Sequence, residues 1–561
     1  MSDHAALTRL AEQAGIEATY QDIWGRRHEI GDDTRRALLA AMHLDPRADP
    51  AHLAEQREAA QWQRPLAPVQ VHPAGAPLSV TVTLADGAPT QRWRLTLENG
   101  ARHAGEFDPA ASVPAAERRC GDTLYRRHEL ALPALDDIGY HQFELEPADA
   151  GDRPVARLRL IGVPTTCFQP EAVRDAHRLW GPAVQLYGLR SARNWGIGDF
   201  TDLRALIALT AEAGGGLVGL NPLHALFPDQ PGQCSPYSPS SRQFLNVLYL
   251  DVDAVIDAND AAAVRAQVAE PHFQARLQEL RDAELVDYES VAAVKLDVLR
   301  ETWRAFVEQH LGSDSPRAAA FERFRAAGGE RLHRHALFEA LQAHLHAADP
   351  AVWGWPAWPA QYHDPDGEAA RRFAGEQADT VAFHAYLQWL ADEQLAAAGA
   401  ESWQRGLGVG LYQDLAVGVS PGGADTWGRR TVYAAGAHTG APPDDLNPHG
   451  QDWGLPPFVP HELRELAYAP FIDALRTAMR HSGALRIDHV MGLMRLWWVP
   501  AGASAGDGAY VAYPFRDLLG ILALESQRNQ CLVIGEDLGT VPDALRSALA
   551  AAGVLGYRPL M

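Results

Sequence analysis

The stretch Ala484-Leu485-Arg486-Ile487-Asp488-His489-Val490, set between Gly483 and Met491-Gly492, reads as a short buried strand whose apolar residues run out where three polar groups arrive. In a parallel barrel, residues at the carboxyl ends of strands face the active-site mouth. Arg486 and Asp488 are two apart, so on a strand they project to the same side. A fixed positive charge beside a carboxylate keeps that carboxylate ionised at neutral pH. Taken alone, the triplet reads first as a structural ion pair at a strand end.

About fifty residues on, Cys531-Leu532-Val533-Ile534-Gly535-Glu536-Asp537-Leu538-Gly539 is again an apolar strand ending in acid. Glu536, after a glycine and expected against an apolar wall, suits a general acid whose pKa must be raised. Two carboxylates on neighbouring strand ends, about 5 Å apart, would make a retaining glycosidase pair of nucleophile and acid/base. Asp414, which ends the run Leu407-Gly408-Val409-Gly410-Leu411-Tyr412-Gln413-Asp414, is a third candidate carboxylate at a strand mouth. The glycines of that run lie inside the strand, which makes it a poor dinucleotide fingerprint.

Working outward, the pattern near residue 180 is strand, helix, strand. Val184–Tyr187 reads as a strand, Asp199 caps a helix over Phe200–Ala213, Gly214-Gly215-Gly216 ends it, and Leu217–Leu220 is the next strand. Alternation of this kind predicts a parallel sheet or barrel. A long loop follows through Arg242, containing Ser235-Pro236-Tyr237-Ser238-Pro239-Ser240-Ser241, and residues 258–405 read as a helical insertion. Within the insertion, the histidines at 333, 335, 344 and 346 match no metal motif and read as a solvated helix face. Trp353–Pro359 is aromatic enough to line a groove or to pack a helix end. After Asp414 a long glycine- and proline-rich loop holds Trp427, Asp444 and Trp453. Helices are expected from about 461 to 481 and again from the Asp488 strand to about 527. A further helix is expected over Pro542–Ala552, and a last strand over Val554–Leu560.

The first 165 residues differ in character. Residues 1–65 read as helical, with Asp32-Asp33-Thr34 capping the run Arg35–His43. Residues 66–165 alternate as half-buried strands do, at Leu78–Leu84, Gln91–Leu97 and Gly139–Leu145, and predict a small β-sandwich. The catalytic body is placed at 170–561.

Composition narrows the function. The formal charge of -22 argues against nucleic acid or an anionic membrane as partner. Lys295 is the only lysine, which leaves almost no Schiff-base candidate, and no phosphate loop is present. Four scattered cysteines without a Cys-x-x-Cys pair fit a reducing cytoplasm, and no apolar run is long enough to span a bilayer.

Taken in order, these stretches resemble the 4-alpha-glucanotransferases (amylomaltase or disproportionating enzyme) of glycoside hydrolase family 77. The resemblance runs from Leu186–Arg190 and Asn194–Phe200 through Asn221–His224 and Ser235–Ser241. It continues in Gly440–Asp444, Gly450–Pro456, Ala484–Val490 and Ile534–Gly539, and so covers about 170–561. It implies an α/β fold, a (β/α)8 TIM barrel with helical insertions, preceded by a helical segment and a β-sandwich-like domain. The implied activity is transfer of α-1,4-glucan segments to maltooligosaccharide acceptors, with no metal or organic cofactor. By match, Asp488 is the nucleophile, Glu536 the acid/base, and Arg486 the residue that holds Asp488 charged. Tyr237 would stack on sugar, Asp414 would bind its hydroxyls, and Trp453 would lie in a substrate-covering lid. Ser235, His489 and Asp444, in the same matching stretches, join the substrate-binding set.

Two departures stand out. The family's Asp-Leu-Pro is here Asp414-Leu415-Ala416, and the family's third acid, in a Thr-His-Asp motif, has no counterpart in these 561 residues. Asp537 cannot replace it, because adjacent strand residues face opposite ways. With five barrel strands counted and a sixth begun, the expectation is an unclosed barrel in a truncated chain of little activity by itself. An α-glucan hydrolase and a non-catalytic glucan-binding fragment are the competing readings.

Overall fold

The computed structural model of the chain describes residues 3–45, 47–148, 155–174 and 178–558. They fall into two compact units: Gln169–Arg430 with Arg476–Asp488, and Met1–Phe168 with Thr431–Leu475 and His489–Met561.

The unit built on Gln169–Arg430 contains four parallel strands, in the order Ala183–Val184, Leu217–Leu220, Gly410–Leu415 and Ala484–Ile487. The register pairs Asp414 with Arg486, so two of the polar residues predicted at strand ends are direct neighbours. Helix Phe200–Glu212 makes the first crossover, begun by a capping box in which Asp199 and Asp202 each accept the other's backbone N–H. The strand expected over Val184–Tyr187 stops at Val184. The chain turns there into a 3-10 helix at Leu186–Gly188, because the Leu186 N–H is taken by the Asn221 side chain at 2.8 Å. The expected loop through Arg242 contains a small antiparallel pair, His224–Ala225 with Ser241–Leu245.

Residues 258–405, expected to be helical, carry the long helices Tyr288–Gln309, Pro316–Ala348 and Ala378–Gln404. Their aromatic residues pack inward: Trp303, Phe306, Phe321, Tyr386 and Trp389 sit ring to ring in one buried cluster. The solvated-face reading of the four histidines holds for exposed His333 but fails for His335, which is buried and stacked on Phe244 at 4.2 Å. Helix Pro316–Ala348 breaks at Gly329, and that break lets its second half turn His335 to the core. Of the aromatic run, Trp358 is buried against Phe338 and Trp427, so this part packs rather than lining a groove.

The second unit holds the β-sandwich, a five-stranded sheet and a three-stranded sheet whose inward residues Val80, Val82, Leu95, Phe143, Leu158 and Leu160 form its core. Before it, helices Asp3–Gln13, Asp32–Ala41 and Pro50–Gln63 are interrupted by an unpredicted hairpin, Thr19–Gln21 with Arg27–Glu29. The helix expected from Arg35 already begins at Asp32, which puts its acids in the first turn, at the positive end of the helix dipole.

The glycine- and proline-rich segment is not a structureless loop. Ala437–Ala441 and Gln451–Leu455 pair as an antiparallel hairpin, and Arg495–Pro500 and Ala509–Ala512 extend it to a four-stranded sheet. These last two strands also replace helix in the region from 489 to 527, where the helix proper is Phe515–Asn529. Leu532–Gly535 then pairs in parallel with Leu555–Gly556 across helix Asp543–Ala551. Of the strand expected over Val554–Leu560, Pro559 and Leu560 lie outside the described residues. No helix among the described residues is long and apolar enough to cross a membrane.

Candidate active site

At the ends of strands Gly410–Leu415 and Ala484–Ile487, one guanidinium serves two carboxylates. Arg486 Nη1 donates to Asp414 Oδ1 at 2.7 Å and Oδ2 at 2.9 Å, and Nη2 lies 2.9 Å from Asp488 Oδ1. The Tyr237 hydroxyl donates to Asp414 Oδ2 at 2.9 Å. Asp488 is aligned from its backbone too, its N–H reaching Leu415 O at 3.1 Å.

Burial dominates the electrostatics. It pushes Asp414 up to about 6, against the pull of Arg486 and with the neighbouring charge of Asp488 adding to the rise. For Arg486 burial opposes the charge, but Asp414 and Asp488 outweigh it and raise the guanidinium above its ordinary value. Burial and then the Asp414 carboxylate raise Tyr237, so its hydroxyl keeps its proton and remains a donor. One cation thus faces two anions: burial moves Asp414 toward holding a proton, and Asp488 keeps its own Arg486 contact.

The other group of predicted residues is assembled around Glu536. Its Oε2 accepts the His489 N–H at 3.1 Å and its Oε1 the Leu538 N–H at 2.8 Å, while its backbone carbonyl takes the Val490 N–H at 3.0 Å. Each carboxyl oxygen thus has a backbone donor, where an apolar wall was expected. His489 adopts φ 48° and ψ 60°, a left-handed conformation rare for a residue with a side chain, and this turn is what aims its N–H at Glu536. The ring of Trp453 stands edge-on to His489 at 5.2 Å. Asp537 faces away as expected, paired with Arg546 at 3.2 Å and accepting the Tyr557 N–H at 3.1 Å.

Two predicted residues join neither group. Ser235 is exposed in a turn closed by Ser238 N–H on its carbonyl, and Asp444 Oδ1 accepts the N–H groups of Leu446 and Asn447 in its own loop. The structure also shows supporting residues to which sequence reasoning gave no role. Buried His224, held neutral with its pKa lowered by burial to about 3, accepts the Ala416 N–H at 3.3 Å. Arg242 Nη1 donates to Ala416 O and Val417 O, and Asp425 accepts from Ser241 and Gln243. Together they fix the turn that follows Asp414. His224 lay within a matching stretch, whereas nothing in the spacing marks Arg242 or Asp425.

A family model described as 4-alpha-glucanotransferase, glycoside hydrolase 77, matches residues 184–561, and one described as the MalQ N-terminal beta sandwich domain matches 65–164. A 4-alpha-glucanotransferase of Haemophilus influenzae is 42% identical over 431 residues, covering 76% of this chain and 61% of the relative. One of Mycobacterium bovis is 38% identical over 571 residues, covering 98% of this chain and 74% of the relative. The crystal structure of amylomaltase from Corynebacterium glutamicum superposes with a TM-score of 0.84 at 32% identity, over 99% of this chain and 75% of that one. An amylomaltase from Streptococcus agalactiae, in complex with acarbose, shares the fold at TM-score 0.55 and 19% identity, over 67% of this chain and 72% of its own. The fold is therefore the α/β barrel type of this family with an N-terminal β-sandwich, and the chain belongs to the 4-alpha-glucanotransferases of glycoside hydrolase family 77.

Proposed function

We propose, against the expectation of little activity by itself, that this chain transfers segments of α-1,4-glucan from a donor to the 4-hydroxyl of a glucose or maltooligosaccharide acceptor, by a retaining double displacement. The observation that carries the reading is the Arg486 fork on Asp414 and Asp488, with His489, the residue bonded next to Asp488, donating its N–H to Glu536.

Asp488 is the nucleophile. Its carboxylate attacks C1 of the donor sugar while the glycosidic C–O bond breaks, and Glu536 gives its proton to the leaving oxygen. In the second half the acceptor 4-hydroxyl loses its proton to Glu536 as its oxygen bonds to C1, and Asp488 leaves as carboxylate. Arg486 holds the nucleophile charged and aimed. Asp414 and Tyr237 bind the sugar of the donor, Tyr237 by its ring. Trp453 covers the covalent intermediate against water, which favours transfer over hydrolysis. Four free cysteines, three of them buried, support a reducing cytoplasm as the working compartment.

The test uses an α-maltosyl donor with a fluoride leaving group, which departs without a proton. Glu536→Gln is expected to accumulate a maltosyl adduct on the peptide carrying Asp488, detected by mass, and to lose transfer from natural donors. An adduct on another peptide, or natural-donor rates near wild type, would overturn the assignment.

A further inference from the structure

The hairpin Thr19–Gln21 with Arg27–Glu29 presents a tryptophan that the scheme above does not use. Trp24 sits in its turn, 49% exposed, beside exposed Ile23. Leaving this much indole in water is unfavourable unless something covers it.

The turn is built to hold that ring still. Buried Asp22 Oδ1 accepts the N–H groups of Trp24 at 3.0 Å and Arg26 at 2.8 Å, and its Oδ2 is 2.8 Å from His28. Gly25, at φ +79°, supplies the left-handed residue of the turn. The hairpin is in turn fastened to the four-stranded sheet of the same unit. Tyr20 packs edge-on against Trp497 at 4.7 Å and Tyr510 at 6.2 Å, and Ile16 bridges to Val511 in antiparallel fashion. The Trp24 indole N–H is tied as well, donating to Asp445 Oδ1 at 3.0 Å.

Asp445 lies in the loop between Ala437–Ala441 and Gln451–Leu455, the hairpin that carries Trp453. It stands eight residues before Trp453, so the two are within about 28 Å even on a fully extended chain. Their separation is therefore at most the length of a short oligosaccharide. An α-1,4-glucan offers what this surface takes: apolar C–H faces that lie on an indole, ringed by hydroxyls that carboxylates accept from. The net charge of -22 disfavours anionic occupants.

We infer that Trp24 is a sugar-stacking platform of an outer subsite, which engages long α-1,4-glucans beyond the sugars held at the reacting bond. The inference rests on the transferase reading, and it makes the N-terminal hairpin a determinant of chain-length preference.

The test compares kcat/KM for maltoheptaose with that for maltotriose in wild type, Trp24→Ala and Trp24→Phe of the full chain. Trp24→Ala should lower the long-to-short ratio about fivefold, mostly through KM, and Trp24→Phe should restore most of it. A ratio equal to wild type in Trp24→Ala would overturn the platform. Maltoheptaose binding, followed by calorimetry, separates the two readings. If wild type transfers nothing but binds maltoheptaose more tightly than Trp24→Ala, the transferase reading fails and the platform stands. If both bind alike, the platform fails.

Discussion

Arg486 Nη1 donates to both oxygens of Asp414, at 2.7 and 2.9 Å, so a buried carboxylate is held by one terminal nitrogen of the guanidinium. The other terminal nitrogen, Nη2, is 2.9 Å from Asp488. The geometry makes Asp414 the residue that orients the arginine and Asp488 the residue the arginine serves. The guanidinium offers two terminal nitrogens in a fixed plane, one to each carboxylate, whereas an ammonium offers a single nitrogen.

Arg486→Lys should therefore fold and yet fail. Lysine keeps the positive charge but loses the second terminal nitrogen that reaches Asp488, and for the proposed nucleophile a displacement of about 1 Å costs on the order of 100-fold in rate. The expected result is kcat lowered by roughly that factor with KM changed little. A kcat within threefold of wild type would mean that charge alone, without the fork, is enough.

Asp414 gives the site a pH signature in stability. Its folded-state pKa is raised from 3.8 to about 6, so the folded protein binds its proton more tightly than the unfolded chain does. This contribution is fully present below the unfolded value and is lost as pH rises through the folded one. Measured by urea unfolding, the stability of wild type relative to Asp414→Asn should fall between about pH 4 and pH 6 and level off above that. A difference that rose over this window would show that Arg486 outweighs burial.

How far the site could be read beforehand follows from these contacts. Arg486 and Asp488 share a strand side, so their contact is a period-two consequence visible in the sequence. Asp414 could be placed at a strand mouth, but its pairing with Arg486 depends on the register between strands about seventy residues apart, which no local pattern encodes. Glu536 could be placed at the end of its strand, whereas its donor at His489 comes from a left-handed turn that a single histidine does not specify. The sheet around Trp453 was missed because Gly440, Gly450 and Gly454 read as loop punctuation, although Gly440 is needed where the partner strand's Gln451 backbone comes too close for a Cβ. The helical character of residues 258–405 was legible, since long amphipathic repeats need no distant partner to be recognised, but the break at Gly329 that goes with buried His335 was not.

The core behind the Asp414 loop should be sensitive to truncation. Trp427 is fully buried, its indole N–H donates to Tyr362 O at 2.8 Å, and its ring packs on Trp358 and Phe338. Trp427→Ala leaves a large cavity and should cost about 3–5 kcal/mol. Trp427→Phe keeps most of the volume and should cost less than half of that. Denaturant midpoints at unchanged slope check both, and a loss below 1 kcal/mol in the alanine variant would mean that the surrounding rings collapse into the space.

Trp453 offers the sharpest test of how water is kept out. Its ring stands 5.2 Å from His489, the residue whose N–H holds Glu536, so removing it opens one side of the proposed acid/base without touching a carboxylate. The proposed covalent intermediate, exposed in this way, would partition between a sugar hydroxyl and water. Transfer between maltotriose molecules conserves the number of glycosidic bonds, whereas each hydrolytic event adds a reducing end. Trp453→Ala should raise new reducing ends per glucose released by up to about tenfold, corresponding to the ~1.4 kcal/mol that an aromatic cover can contribute. Trp453→Phe should fall between the two. If Trp453→Ala lowers transfer and hydrolysis in equal proportion, the ring positions sugar and does not exclude water, and the lid must be sought elsewhere on the same hairpin.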